Sequence, residues 1–144
     1  AVTHMEGLNV KLLLFGSVAP ELKERFDKLL ESEKIIYVGW LSSNIIYDYF
    51  DACDLVLFPG LHSVLWEQAV GAGKACVFRK IDGFTHIDLG GNCRFFEGLS
   101  AEIIRKQLTE IIKNDEISSM TKVAKVKGVS YFSYKRIAQE CLGL

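Results

Sequence analysis

His62, Ser63 and Glu67 are the residues of this chain whose types and spacing suit chemistry best. The pair His62-Ser63 stands immediately before the apolar run Val64-Leu65-Trp66, so Ser63 is placed to cap a helix whose first amides, Val64 among them, face outward. Free amides and the helix dipole together make an anion site. Glu67 follows one turn later on the same face, which holds a carboxylate near that site and slightly deeper. A carboxylate repels phosphate and accepts hydrogen bonds from hydroxyls. The combination therefore suits a phosphate beside a diol, as in a nucleotide, with no metal needed. The competing reading is a glutamate on an exposed helix face behind an ordinary cap.

The elements around these residues repeat one rhythm. Asp54 to Phe58 reads as a buried strand, Pro59-Gly60 as a turn, the next stretch as a short helix carrying Glu67, Gly71-Ala72-Gly73 as its stop and Ala75 to Arg79 as another strand. A strand–turn–helix–strand unit of this kind belongs to parallel α/β sheets, where ligands sit beyond the carboxyl ends of the strands. Upstream, Asn9 to Phe15 is a continuous apolar run ending at Gly16-Ser17, expected as a central strand buried on both faces. Pro20 to Ser32 follows as an amphipathic helix with Pro20 at its first position. Lys34 to Val38 is a second strand closed by Gly39-Trp40, and Ser42-Ser43 caps a helix reaching Cys53. Downstream, Lys80 to Gly91 is a polar loop, Asn92 to Phe96 a fifth strand, and Ser100 the cap of a helix through Ile112. From Asp115 the pattern is helical, broken at Lys127-Gly128. The expected fold is α/β: a Rossmann-like parallel sheet of about five strands with helices on both faces.

The bulk properties narrow the function. With 144 residues, 49% of them hydrophobic, the chain is the size of one domain with a substantial core. A net charge of −1 carries no footprint of a nucleic-acid binder. No apolar run is long enough to span a bilayer and no signal peptide is present, so a cytoplasmic location is expected. Cys53, Cys76, Cys93 and Cys141 lack a CxxC pair and read as buried thiols of a reduced compartment. Residues 1–7, which include His4, read as an expression remnant or disordered lead, and residues 8–144 as the domain.

Several motifs fail. Gly71-Ala72-Gly73-Lys74 is not a phosphate loop, because Gln68 stands at the required first glycine and Ala75 at the Ser/Thr position. No GxGxxG follows the first strand, and no nucleophile elbow supports a triad of His62, Ser63 and Asp54 or Asp88. A phospho-receiver needs acids where this chain has Gly16 and Pro59.

Five stretches carry a family resemblance. Tyr49 to Pro59, YFDACDLVLFP, resembles the "YaaADvfvlPS" segment of GT-B fold glycosyltransferases of the glycosyl transferases group 1 type, and Trp66 to Val77, WEQAVGAGKACV, resembles their "lEAMAcGkPVV". Lys11 to Gly16 and Tyr37 to Leu41 are similar to two upstream pieces of the same family, and Tyr134 to Leu142 to its terminal helix. The resemblance implies one half of a GT-B fold, the C-terminal domain that binds a nucleoside diphosphate sugar, UDP- or GDP-linked, for transfer to a glycan or cell-surface polysaccharide acceptor. It gives Glu67 the donor ribose, the amides of Ser63 and Val64 the diphosphate, His62 a place in the donor site, Gly16 a close backbone approach, and Gly39, Trp40 and Leu41 the nucleobase. Arg79 and Lys80 are placed for the phosphates, and His86 for the sugar or acceptor. No metal or other cofactor is implied. The partner implied is an N-terminal acceptor domain of a longer chain, without which the fragment would be inactive; peripheral association with the inner membrane face belongs to that longer chain. Where retaining members carry the first of two glutamates, this chain has Pro59, and its shortened loop is also similar to the donor domains of the peptidoglycan N-acetylglucosaminyltransferase and of UDP-N-acetylglucosamine 2-epimerases. Two alternatives stay open: half of a sugar-nucleotide epimerase, and a non-catalytic α/β binding domain.

Overall fold

The computed structural model describes residues 1–143. They form two compact units, Ala1–Ile46 and Tyr47–Leu144. All five expected strands are present, but they pair as two parallel sheets, one of two strands and one of three, instead of one continuous sheet.

In the first unit, β1 (Leu12–Phe15) pairs in parallel with β2 (Ile35–Gly39), connected through a 3₁₀ turn at Pro20–Leu22 and helix α1 (Lys23–Leu30). Proline starts that turn because its fixed φ suits a first helical position. The expectation that β1 is buried on both faces is not met: all four of its residues are only half-buried. The opening residues are ordered. Val2–His4 form a 3₁₀ turn, Val2 and Met5 are buried, and Lys34 Nζ donates to the Met5 carbonyl at 2.6 Å.

Helix α2 (Ile46–Ala52) begins later than its expected cap at Ser42-Ser43, those residues being spent on a turn closed from the Ile45 amide to the Ser42 carbonyl. The second unit is built on β3 (Leu55–Phe58), β4 (Ala75–Arg79) and β5 (Cys93–Phe96), in that order and all parallel. Central β4 is the fully buried strand, with Ala75, Cys76, Val77 and Phe78 at 0% exposure. A strand flanked on both edges and covered on both faces has to read as an unbroken apolar run, and ACVF does.

Helix α3 (Leu65–Gly71) connects β3 to β4. Trp66, Ala69 and Val70, spaced three and four apart, bury one face completely, and Trp66 stacks on Phe78 at 4.4 Å. The helix ends where the sequence signals it. The amide of Lys74 bonds the Ala69 carbonyl at 3.1 Å and that of Gly73 the Val70 carbonyl at 2.9 Å, while Gly73 sits at φ 77°, the left-handed residue that such a closing motif requires.

Helix α4 (Ala101–Lys113) is capped as expected, the Ile103 amide donating to Ser100 Oγ at 3.1 Å. Asp115, at φ 53°, turns the chain into α5 (Glu116–Val123), where Glu116 meets Arg94 of β5 at 2.6 Å. The break expected at Lys127-Gly128 does not occur. Ala124–Gly128 form a π-helical turn that continues into α6 (Val129–Tyr131), because Gly128 lies directly on α3, a position that a glycine's lack of Cβ permits. Helix α7 (Tyr134–Leu142) starts at Ser133, whose Oγ accepts from the Arg136 amide at 3.2 Å. Cys76 and Cys93 are buried free thiols, whereas Cys53 is half-buried and Cys141 exposed, so only two of the four fit the buried-thiol expectation. Among the described residues no helix is long and apolar enough to cross a membrane.

Candidate functional site

The second unit gathers three of the singled-out residues around one oxygen. His62 Nε2 lies 2.8 Å and His86 Nε2 3.0 Å from Glu67 Oε1, so one carboxylate oxygen accepts from two imidazoles that enter from opposite sides in the sequence. Glu67 reaches this place because Trp66, its neighbour on α3, is locked in the core, which turns the next side chain to the rim of the buried face. The Glu67 side chain is 22% exposed and that of His62 27%, against 45% for His86. The other carboxylate oxygen, Oε2, is buried and has no hydrogen-bond partner among the described residues.

An aromatic wall backs the cluster. His62 stacks on Phe84 at 4.4 Å and meets the edge of Trp66 at 5.2 Å, and the two imidazole centroids are 6.1 Å apart. Burial pushes the Glu67 carboxyl up, but hydrogen bonds from His62, from its own backbone amide and from His86, with the charge of His62, outweigh burial and hold it below the ordinary carboxylate range. Because the folded carboxyl titrates lower than the unfolded one, its stabilising contribution is complete above the unfolded value of about 4.3 and is lost as pH falls through the folded value. The stability advantage of the wild type over Glu67→Gln is therefore expected to be constant near neutrality and to shrink below about pH 4, read by thermal denaturation across pH. An advantage that grows on acidification would contradict this arrangement.

The loop that carries His86 is held by a residue the sequence reading passed over. Asn92 is 0% exposed; its Oδ1 accepts from the Leu89 amide at 2.6 Å and its Nδ2 donates to the Ile87 carbonyl at 3.1 Å. Asp88 Oδ1 accepts from the amides of Gly90 and Gly91, both at 2.9 Å. The signal was available as an asparagine at the start of a strand after Gly-Gly, where a side-chain amide can replace backbone partners. Asn92→Ala leaves two backbone groups unpaired in a buried position and is expected to cost about 2 kcal/mol in urea unfolding. A loss under about 0.5 kcal/mol would mean that water serves the loop equally well.

The other expected residues take different positions. Ser63 does not cap α3: the residue preceding the helix is Val64, and no side chain bonds its amides. The reason is that Val64 already has helical dihedrals, which moves the helix start one residue along and leaves Ser63 only its carbonyl to offer, to the Trp66 amide at 2.9 Å. The Trp66 amide turns to the Ser63 carbonyl and the Gln68 amide to the Val64 carbonyl, which reduces the anticipated ring of free amides. Val64 is exposed. Arg79, half-buried at the end of β4, makes no side-chain hydrogen bond or ion pair among the described residues. Lys80 pairs with Glu97 at 2.6 Å. In the first unit Gly16 and Gly39 close the carboxyl ends of β1 and β2, joined by a 2.9 Å bond from the Gly16 amide to the Gly39 carbonyl and both at positive φ, 121° and 84°. Trp40 follows, 79% exposed, and Leu41 is half-buried.

No family model and no curated protein matches the chain. Solved structures do. A sucrose-phosphate synthase from Thermosynechococcus elongatus is 14% identical and superposes with a TM-score of 0.74 over 91% of this chain and 36% of its own. The Anabaena protein Alr3699/HepE, solved in complex with UDP, is 17% identical, with a TM-score of 0.68 over 94% of this chain and 41% of its own. TarM is 14% identical, with a TM-score of 0.68 over 93% of this chain and 28% of its own. At these identities the likeness is one of fold. The chain has the α/β fold found in GT-B glycosyltransferases and resembles a C-terminal half of one. It spans well under half the length of each of these three structures.

Proposed function

We propose that this chain is the donor-binding half of a GT-B glycosyltransferase and that it holds a nucleoside diphosphate sugar with Glu67 on the ribose diol. The observation that carries the reading is the state of Glu67: an ionised carboxylate at the rim of the core, 22% exposed, with one oxygen lacking a hydrogen-bond partner among the described residues. Such an acceptor invites hydroxyl donors. His86 is the partner placed to yield to an incoming diol, because it is the more exposed imidazole and sits on a turn, whereas His62 is fixed between Phe84 and Trp66. Arg79, with no side-chain hydrogen bond or ion pair among the described residues, is available to a diphosphate. HepE, one of the fold relatives, was solved in complex with UDP. Sugar transfer itself requires an acceptor domain, so the chain by itself binds donor and transfers nothing.

Calorimetric titration with UDP and with GDP tests the reading. Saturable binding by one of them, weakened at least about tenfold in Glu67→Ala, is expected from loss of about 1.5–3 kcal/mol of charge-assisted hydrogen bonding. Binding by neither nucleotide to the folded chain would favour the reading as a non-catalytic α/β domain.

A further inference from the structure

The three groups that meet at Glu67 are also a ligand set. We propose that His62, Glu67 and His86 bind one divalent transition-metal ion of the zinc type, and that the ion excludes a nucleotide from the same carboxylate. The first half stands on the cluster alone. The second rests on the donor reading of Glu67.

Each residue offers one ligand atom, and the three lie within 4.8 Å of one another. Two imidazole nitrogens and one carboxylate oxygen are the donor set that zinc takes when a coordination position stays open to water or another ligand. Imidazole selects zinc and its later transition-metal neighbours over magnesium and calcium, which prefer all-oxygen sites. The nitrogens now stand 2.8 and 3.0 Å from Oε1, each sharing a proton with it. Tetrahedral coordination at zinc–ligand lengths near 2.1 Å sets all three atoms roughly 3.4 Å apart, so each nitrogen moves out from Oε1 while the wider gap in the 4.8 Å set closes, shifts that His86 on its exposed turn can absorb. Binding moves each shared Nε2 proton to Nδ1 of its ring or to solvent, so no net chemistry on the chain is required.

A second observation points to a missing partner. Glu67 Oε2 is buried with no hydrogen-bond partner among the described residues, an uncommon and costly state for a carboxylate oxygen, and a cation bound at the carboxylate neutralises the charge that the group carries into this shielded position. The aromatic wall of Phe84 and Trp66 lowers the local dielectric around His62 and strengthens attraction between ion and carboxylate. The three residues come from the loop before α3, from α3 itself and from the turn before β5, so the set is assembled by the fold and not by sequence proximity.

The test uses the chain without nucleotide. Metal-free protein is titrated with Zn²⁺ by calorimetry and with Co²⁺ by visible absorption, where low-coordinate nitrogen and oxygen ligation gives intense d–d bands. One equivalent is expected, with affinity reduced at least about tenfold in His62→Gln and in His86→Gln and unchanged in Cys141→Ser, which removes the exposed thiol. No binding up to millimolar Zn²⁺, or binding that neither histidine variant weakens, overturns the site. Because His86 is exposed, its variant is expected to keep the fold, which unchanged far-UV dichroism verifies. A final titration with UDP in the presence of saturating Zn²⁺ separates the two readings. Loss of UDP binding supports exclusion. UDP affinity unchanged by a metal bound through both histidines leaves the metal site standing and removes the ribose from Glu67. UDP binding with no metal uptake does the reverse.

Discussion

Gly128→Ala is expected to be among the most damaging single substitutions in this chain, costing about 3 kcal/mol or preventing folding. A Cβ at this position would lie 2.4 Å from the Val70 carbonyl oxygen and 2.8 Å from Val70 Cγ1. The first is backbone of α3, which cannot turn away as a long side chain could. Val70 is 0% exposed and sits in the face of α3 that packs on the core, so relief requires the π-turn at Ala124–Gly128 to lift off the helix. Conformation is not the issue, since Gly128 has ordinary helical dihedrals, φ −64° and ψ −45°. Gly71→Ala provides the comparison: its Cβ meets Phe132 Cβ at 3.2 Å, a contact relieved when Phe132 gives way by a few tenths of an ångström, and about 1 kcal/mol is expected. Urea unfolding of both variants measures the difference. A Gly128→Ala protein as stable as wild type would show that the π-turn does not press on α3.

That contact also marks the limit of reading the fold from sequence. The strands were legible because each is a short apolar run ended by glycine, proline or a polar pair, and β4 matched its expected bounds to the residue. How the strands pair was not legible. Apolar runs state that a strand is buried and say nothing of which neighbour supplies its hydrogen bonds, so one sheet of five was expected where the structure has sheets of two and three. Gly128 was read as a helix breaker because propensity counts glycine as costly in a helix. Only the tertiary contact with Val70 shows that the helix continues through it because a side chain would not fit.

The site was legible in its residues and not in its geometry. His62, Glu67 and His86 were all singled out by type and by position near strand ends, yet His86 was assigned to a different part of the ligand, since its separation of nineteen positions from Glu67 conceals that it shares that carboxylate oxygen with His62. Ser63 was misplaced by the opposite fault. Its type suits a cap, and local dihedrals at Val64 decide otherwise.

The second large effect concerns Glu67 and UDP. If the carboxylate holds the ribose diol, removing either partner of that contact removes the same energy, about 1.5–3 kcal/mol for hydroxyls bonding a charged acceptor, equivalent to roughly 10- to 150-fold in affinity. Glu67→Ala also frees His62 and His86 from their common acceptor, so a loss in the variant alone does not separate a direct contact from a disturbed loop. A cycle with a ligand lacking the ribose hydroxyls does. The measurement is calorimetric titration of wild type and Glu67→Ala with UDP and with its 2′,3′-dideoxy analogue. The predicted result is that the substitution weakens UDP at least about tenfold and leaves the already weaker dideoxy analogue within about twofold. Equal losses for both ligands, or UDP bound as tightly by Glu67→Ala as by the wild type, would contradict the assignment of Glu67 to the ribose.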